Sequence, residues 1–342
     1  MGKSLLNFYS IRHLTRFRYA KAVSESVMET RMHPRSDASQ HCLQFTLSVS
    51  PRCRVFSYRD HYGNDVQHFD IPGDHQQLVI VAESLVEHQL QMDVPAFLAP
   101  DAWGALDAMI CESDYVEMLQ PSTFAVESLA LLELAKKLGV ERRDDPLMLV
   151  HELNRKVYDY FEYVPSSTRV DSPIDEAIES RQGVCQDFAH TMIALLRHVG
   201  IPARYVSGYL YRGKDEEATA HERSTPAATH AWVEALMPSL NWVGFDPTND
   251  LIAWNRHIRT AVGRDYADVP PTHGVYRGKT ESELYVAVQV ESSTEPPALD
   301  RKLPIPDDWS VLVERAQQAP ERVLSPLEFQ QMQQQQSSFH AL

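Results

Sequence analysis

The sequence is poor in cysteine, with four in 342 residues and no C-x-x-C pair. Such a small, scattered set excludes a disulfide scaffold and the zinc sites built from paired cysteines, so we expect reduced thiols and no metal. A glycine-rich loop of the phosphate-binding type is also lacking, and we expect no cofactor. Each cysteine therefore has to be interpreted from its own surroundings: Cys42, Cys53, Cys111 and Cys185.

Long apolar runs and a surplus of basic residues are lacking as well. No apolar stretch approaches the roughly 20 residues that span a bilayer, and residues 1–20 contain no uninterrupted apolar core of a secretory signal. The net charge of -15, from 47 acidic and 32 basic residues, argues against nucleic acid and acidic membranes as partners, because polyanions attract basic surfaces. We expect a cytoplasmic protein.

Alternation of apolar and polar residues dominates the first hundred residues. In HCLQFTLSV, apolar residues fall at every second position from Leu43 to Val49, which is typical of a half-buried strand. Gly63 and Asn64 can supply a turn between two further strands, because both residue types tolerate positive φ. We therefore predict an antiparallel β domain over residues 1–100.

The period changes to that of a helix in the middle of the chain. Asp145 can cap a helix that Pro146 begins, and apolar residues then recur at intervals of three and four as far as Phe161. Residues 123–138 carry a similar stripe that ends at Gly139, which favours a second helix. The segment GVCQDFAHTMIALLRHVGIP predicts a third.

Short segments rich in β-branched and aromatic residues follow these helices. Helices followed by antiparallel strands, without regular βαβ alternation, predict an α+β unit over residues 101–291. Residues 292–342 are rich in proline and glutamine, which predicts a disordered or surface-draped extension. The predicted strands are ARYVSGYLYR, THAWVEALM, NWVGFDP, HIRTAVG and ELYVAVQVE, the last of which we expect to be the final strand.

Cys185 stands where the third helix should begin, directly after Gly183 and Val184. In the first turn, the helix dipole and the unpaired backbone N–H groups stabilise negative charge, which favours both a thiolate nucleophile and an oxyanion site. A lone cysteine on an apolar helix is, however, more often packing material. A histidine and a carboxylate close in space would favour the nucleophile.

His230 in THAWVEALM and Asp246 in NWVGFDPTND offer such a pair. The two segments are strands joined by a short turn, and both residue numbers are even. A suitable register therefore places the two side chains on the same face, opposite or diagonal to each other. A slip of one residue would place them on opposite faces, and the sequence does not fix the register.

Read in order, these motifs resemble the transglutaminase-like superfamily, in particular its bacterial branch described as cysteine proteases. The resemblance is carried by GVCQDFAH, GIPARYVSGY, THAWVE and WVGFDPTN, while RFRY, MHP and HYGN resemble the bacterial transglutaminase N-terminal region. It covers residues 5–290 and implies a papain-like core, with helices packed on an antiparallel sheet. It also implies a Cys-His-Asp triad, here Cys185, His230 and Asp246. The G-Q-C-W of animal transglutaminases is G-V-C-Q here, and their calcium loops are not identifiable, so a calcium-activated cross-linker is not implied.

Other residues near the motifs receive lesser roles. The Cys185 backbone N–H is the first candidate for the oxyanion donor, and the Gln186 side chain is a weaker one. Trp232 and Trp242 could line an acyl groove, although aromatic residues in alternating strands more often pack in the core. Asp187 is expected to stabilise the first helical turn rather than to act in catalysis.

The residues and the resemblance together predict a thiol-dependent acyl-transfer enzyme. It would be a peptidase or amidase that cleaves peptide or isopeptide bonds of a peptide or protein substrate through a thioester. Hydrolysis is favoured because no second, amine-binding site is identifiable. Transamidation or ligation with a small amine acceptor stays an alternative, and so does a non-enzymatic peptide-binding protein on the same scaffold.

Overall fold

Two large β-sheets and a group of helices build the protein in a computed structural model. The structure describes residues 6–89, 94–112, 114–143, 145–165, 167–213, 222–224, 228–295 and 337–341. The predicted α+β class is confirmed, with an N-terminal antiparallel sheet followed by helices packed on a second antiparallel sheet. None of the helices in this described part combines the length and the hydropathy of a membrane span.

The alternating N-terminal segments form the first sheet. Its two longest strands, β1 (Leu6–Thr30) and β4 (Asp65–Gln89), pair along most of their length. The shorter strands β2 (Gln40–Ser50) and β3 (Val55–Arg59) pair with β4. Gly63 takes a φ of 73° in the turn between β3 and β4, as its residue type predicts.

Helices and short connecting elements occupy the middle of the chain. The capping by Asp145 is confirmed, since its Oδ1 accepts the Leu147 N–H at 2.8 Å. A 3-10 helix, Asp114–Leu119, follows α1. The described elements in chain order are α1 (Ala102–Glu112), α2 (Leu129–Leu138), α3 (Pro146–Tyr160), β5 (Glu162–Tyr163), α4 (Ile174–Ser180), β6 (Gln182–Gly183) and α5 (Cys185–His198).

One expectation about these helices is wrong. The second helix begins after Ser128, whose hydroxyl accepts the Leu131 N–H at 3.1 Å, and not at residue 123. The preceding residues are drawn out of helical geometry because the Phe124 N–H donates to Asp265 at 2.7 Å, a contact that only the folded chain provides. The short helices α1 and α4 were not predicted.

The second sheet contains five strands: β7 (Ala203–Leu210), β8 (His230–Met237), β9 (Asn241–Asp246), β10 (Leu251–Ala253) and β11 (His257–Gly263). Their order in the sheet is β10-β9-β8-β7-β11. Helix α5 packs on it through Phe188, Met192 and Ile193, which share a buried core with Val233 and Phe245.

The last strands return to the first sheet. Strands β12 (Thr272–Arg277) and β13 (Ser282–Ser293) both pair with β1, although the sequence placed residues 272–291 in the second unit. Alternation predicts a strand but not its distant partner. β13 is not the final strand, because β14 (Ser337–Ala341) pairs in parallel with β12. The extension between residues 296 and 336 lies outside the described residues.

The two sheets meet along β11, which is the edge strand of the second sheet. The Gln40 side chain accepts from the Arg259 N–H at 3.0 Å and donates to the Arg259 carbonyl at 2.9 Å. The Asn64 side chain does the same with Val262, at 2.8 Å for both bonds. Two side-chain amides of the N-terminal sheet therefore satisfy the free edge of β11.

Candidate active site

The start of helix α5 is set by the residues around Cys185. Val184 has an extended backbone, and its N–H donates to Asp187 Oδ2 at 2.8 Å. Gly183 is required because a Cβ there would lie 2.8 Å from the Asp187 Cβ. Cys185 is therefore the first helical residue, and it lies partly exposed among N–H groups that have no intrahelical acceptor.

Asp187 stabilises this turn from a buried position. Its Oδ2 also accepts a hydrogen bond from Thr168 Oγ1 at 2.6 Å. Burial raises the pKa of Asp187 to about 6, although the hydrogen bonds from Thr168 and Val184 act in the opposite direction. These contacts agree with the structural role that the sequence suggested.

The β8–β9 hairpin brings the histidine and the aspartate together. Val233 pairs with Phe245, so Asp246 lies diagonally across from His230 on the same face. His230 Nε2 and Asp246 Oδ2 are 2.7 Å apart, and both side chains are buried. The sequence left the register of the hairpin open, and the register in the structure places His230 and Asp246 in contact.

The Asp246 carboxylate is held from several sides. Oδ1 accepts the backbone N–H groups of Thr248 at 3.0 Å and of Asn249 at 3.2 Å, and the Asn249 side chain donates to Oδ2 at 2.8 Å. Burial would raise the pKa of Asp246, but the charge and the hydrogen bond of His230 hold it well below its usual range. An ionised carboxylate only accepts hydrogen bonds, so His230 Nε2 carries the hydrogen between them.

The second ring nitrogen of His230 is available to the sulfur. Nδ1 is buried, and no described residue lies within full hydrogen-bond geometry of it. The Cys185 side chain lies beside the ring. Burial lowers the pKa of His230, but the charge and the hydrogen bond of Asp246, together with Cys185, raise it to about 10. A protonated imidazole between a carboxylate and a thiol favours the thiolate.

A second histidine, which the sequence analysis missed, shares the same carboxylate. His257 Nε2 lies 3.1 Å from Asp246 Oδ2, and the His230 and His257 ring centroids are 6.0 Å apart. The only signal in the sequence was a histidine at the start of the strand HIRTAVG, which says nothing of its distant partner. By residue type, His230, Asp246 and His257 could hold a metal ion. Their separations of 2.7 and 3.1 Å are those of hydrogen bonds, so we interpret the cluster as a hydrogen-bonded one.

Two tyrosines also lie within electrostatic reach of the sulfur. Burial raises the pKa of Tyr205 and of Tyr266, and the electrostatic interaction with Cys185 raises both further. Both hydroxyls therefore stay neutral near pH 7 and can donate hydrogen bonds. Tyr266 is fixed by its backbone N–H, which donates to His190 Nε2 at 3.1 Å.

Three weaker candidates are held mainly by packing, although Trp232 and Trp242 also line a small cavity. The Gln186 side chain is buried and donates to the Val170 carbonyl at 3.1 Å. Trp232 is 1% exposed and stacks beside His230, so it has no surface for an acyl chain. Trp242 is half-buried under the guanidinium of Arg204, at 4.2 Å from the ring centroid. Sequence spacing could not distinguish a groove from a covered face.

An open groove is lined by residues 159–163, 180–181 and Arg223, and its lining does not include Cys185, His230 or Asp246. On one wall, Tyr163 pairs with Gly183, two residues before Cys185. On the other, the Arg223 N–H donates to Asn249 Oδ1 at 2.8 Å, and Asn249 in turn binds Asp246. The groove walls are therefore connected to both halves of the site.

The chain is similar to two described protein families and to individual bacterial proteins. Residues 9–87 match the bacterial transglutaminase-like N-terminal region, and residues 133–247 match the transglutaminase-like superfamily. The uncharacterized protein ML0607 of Mycobacterium leprae is 31% identical over 278 residues, which cover 81% of this chain and 96% of that protein. The uncharacterized protein Rv2569c of Mycobacterium tuberculosis is 33% identical over 301 residues, 82% of this chain and 92% of that protein.

Two further relatives extend the comparison. A protein-glutamine gamma-glutamyltransferase of Pseudomonas aeruginosa is 32% identical over 117 residues, 34% of this chain and 17% of that protein. The crystal structure of a candidate cysteine protease from Cytophaga hutchinsonii aligns with a TM-score of 0.65 at 23% identity, covering 87% of this chain and 92% of that one. At this identity the likeness shows the fold that the two chains share. The chain belongs to the transglutaminase-like superfamily and carries the bacterial transglutaminase-like N-terminal region.

Proposed function

We propose that this protein is a thiol-dependent acyl-transfer enzyme that hydrolyses peptide or isopeptide bonds. The observation that carries the proposal is the position of the His230 ring. Its Nε2 is fixed by Asp246 at 2.7 Å, and Cys185 at the start of a helix lies beside the ring. A thiol, an imidazole and an orienting carboxylate are the three parts of a nucleophilic acyl-transfer site.

The reaction divides into two steps. Cys185 Sγ attacks the carbonyl carbon, the carbon–nitrogen bond breaks, and the His230 imidazolium gives its proton to the leaving amine. Water then attacks the thioester and loses a proton to the neutral His230, which releases the acid and restores the thiolate. The backbone N–H of Cys185 stabilises the oxyanion in both steps.

The open groove favours an extended peptide or protein segment as the substrate. Two lining residues contact the segments that carry the site: Tyr163 pairs with Gly183, and the Arg223 N–H donates to Asn249. Both acidic and basic side chains line the groove, so we expect no preference for a substrate of one charge. We expect no requirement for a metal or a cofactor.

Transamidation is the second candidate, and the similarity to the Pseudomonas aeruginosa transferase favours it. In that case an amine replaces water in the second step. Product analysis with and without a primary amine separates the two. A transferase gives conjugate at the expense of acid, whereas a hydrolase gives acid in both.

Selective alkylation and turnover test the proposal together. We expect iodoacetamide to label Cys185 faster than the exposed Cys111 at pH 6, where an ordinary thiol is almost entirely protonated. Cys185→Ala should abolish turnover of a peptide or isopeptide library, by about a thousandfold or more, while Cys111→Ser should not change it. Full turnover by Cys185→Ala would refute the mechanism.

A further inference from the structure

His257 reaches the site from the edge of the second sheet. Strand β7 lies between β8 and β11, and its Gly208 pairs with His230. A Cβ at position 208 would lie 2.6 Å from the Trp232 ring and 2.1 Å from the Ile258 carbonyl oxygen. The glycine therefore lets side chains from β8 and β11 close over β7. His257 packs there in a T-shaped contact with Trp232, with ring centroids 5.1 Å apart.

The strand that carries His257 is firmly held. The amides of Gln40 and Asn64 satisfy the backbone of β11, and the Arg259 guanidinium binds Asp37 at 2.8 Å and Glu234 at 3.1 Å. His257 is 4% exposed. A side chain fixed in this way can orient the group that it touches.

We propose that His257 is a positioning residue for the reaction at Cys185: its Nε2–H binds Asp246 Oδ2 and fixes the carboxylate that orients His230. The proposal rests on the proposed function of the same site. Through His257, strand β11 and the N-terminal sheet that holds it would influence the reactivity of Cys185. Orienting partners of this kind commonly change activity by about ten- to a hundredfold when they are removed.

The charges around His257 favour its neutral form. Burial lowers the pKa of His257, the charges of His230 and Arg256 lower it further, and Asp246 opposes them. A neutral imidazole has one N–H, and the ionised Asp246 requires that it be Nε2. His88 on β4 acts on His257 electrostatically, and Glu234 and Arg259 line the small cavity beside it.

Variants of the full chain distinguish positioning from packing. Glutamine at position 257 can keep an N–H donor near the place of Nε2, whereas phenylalanine keeps the ring shape without a donor. We expect His257→Gln to label with iodoacetamide within about threefold of the wild-type rate at pH 6. We expect His257→Phe to label at least about tenfold more slowly than the wild type at pH 6.

A double-mutant cycle with Asp246→Asn tests the route of the effect. If His257 acts through Asp246, adding His257→Phe to Asp246→Asn changes the rate by less than about twofold. A further tenfold loss in the double mutant, or wild-type labelling of His257→Phe, overturns the proposal. If His257→Phe does not fold, His257→Asn replaces it, because its shorter side chain cannot place a donor at Nε2.

The wild-type protein separates this proposal from the proposed function. Wild-type labelling of Cys185 no faster than that of Cys111 at pH 6 overturns both. Selective wild-type labelling that is unchanged in His257→Phe overturns only the role of His257.

Discussion

At the scale of single residues, the site combines buried charges of opposite sign. His230 and Asp246 are both buried and 2.7 Å apart, and each moves the pKa of the other towards the charged form. Removing one partner would leave an uncompensated buried charge, which is far more costly than the loss of a surface ion pair. The pair is therefore expected to influence stability as well as chemistry.

The pH dependence of stability should reveal this ion pair. The pKa of His230 is raised to about 10, so its contribution is complete below about pH 6.5 and is lost as pH rises towards 10. The pKa of Asp246 is lowered, so its contribution is present above about pH 4 and is lost only in strong acid. We expect the wild-type free energy of unfolding to fall between pH 6.5 and 10 relative to that of Asp246→Asn. Urea titrations at several pH values measure the difference, and parallel curves would contradict it.

Asp187 should show a dependence opposite to that of Asp246. Its pKa is raised to about 6 by burial, so its favourable contribution is complete below about pH 4 and is lost as pH rises to 6. We expect Asp187→Asn to become more stable relative to the wild type over that interval, by no more than ~3 kcal/mol, with a constant difference above it. Chemical unfolding of both proteins at pH 4, 5, 6 and 8 measures this. A difference that does not change with pH would exclude the assignment.

At the scale of secondary-structure elements, helix α5 is anchored at both ends. Its first turn carries Cys185, and near its last turn the buried Arg197 guanidinium donates to carbonyls of three other segments. These acceptors are Met118 at 2.9 Å, Gln120 at 2.9 Å, Ala203 at 2.9 Å and Arg264 at 2.7 Å. One side chain thus fixes the helix relative to the sheet.

Substitution of Arg197 should therefore destabilise the whole core. Arg197→Met leaves several buried carbonyls without donors, and each such group costs about 1–3 kcal/mol. We expect a loss of at least ~3 kcal/mol in the free energy of unfolding. Arg155→Met is the matched control, because Arg155 makes its ion pairs at the surface and its loss should change the free energy of unfolding far less. Equal losses in the two variants would show that the buried contacts contribute little.

At the scale of the whole molecule, the two sheets depend on each other. Strands β12 and β13, from the second half of the chain, pair with β1 of the N-terminal sheet. In return, Gln40 and Asn64 of the N-terminal part satisfy the edge of β11, which carries His257. The sheets are therefore not separable by a single cut of the chain.

A truncation tests this dependence. A protein of residues 101–291 would leave β12 and β13 without their partner strand and the β11 edge uncovered. Exposed strand edges promote aggregation, so we expect this piece to be insoluble or aggregated, whereas residues 1–295 stay soluble. Size-exclusion chromatography and circular dichroism compare them. A monomeric, folded 101–291 piece with selective labelling of Cys185 would contradict the expectation.

The predictable part of the site depended on local signals. The cap at Asp145, the helix start at Cys185 and the strands that carry His230 and Asp246 all follow from short-range periodicity and turn chemistry. The start of α2 was missed because a distant aspartate, Asp265, holds Phe124 out of the helix. For Trp232 the sequence left a groove and core packing both open, because alternation defines a face but not what covers it.

The sequence by itself determined the main helices and most of the strands, and which residues carry a thiol, an imidazole and a carboxylate on elements that could meet. Tertiary structure decided the register that places Asp246 against His230, the return of β12 and β13 to the first sheet, and the approach of His257 to Asp246. The physical reason is that periodicity reports only local geometry, whereas strand pairing and side-chain contacts between residues far apart in the chain depend on how the folded elements pack.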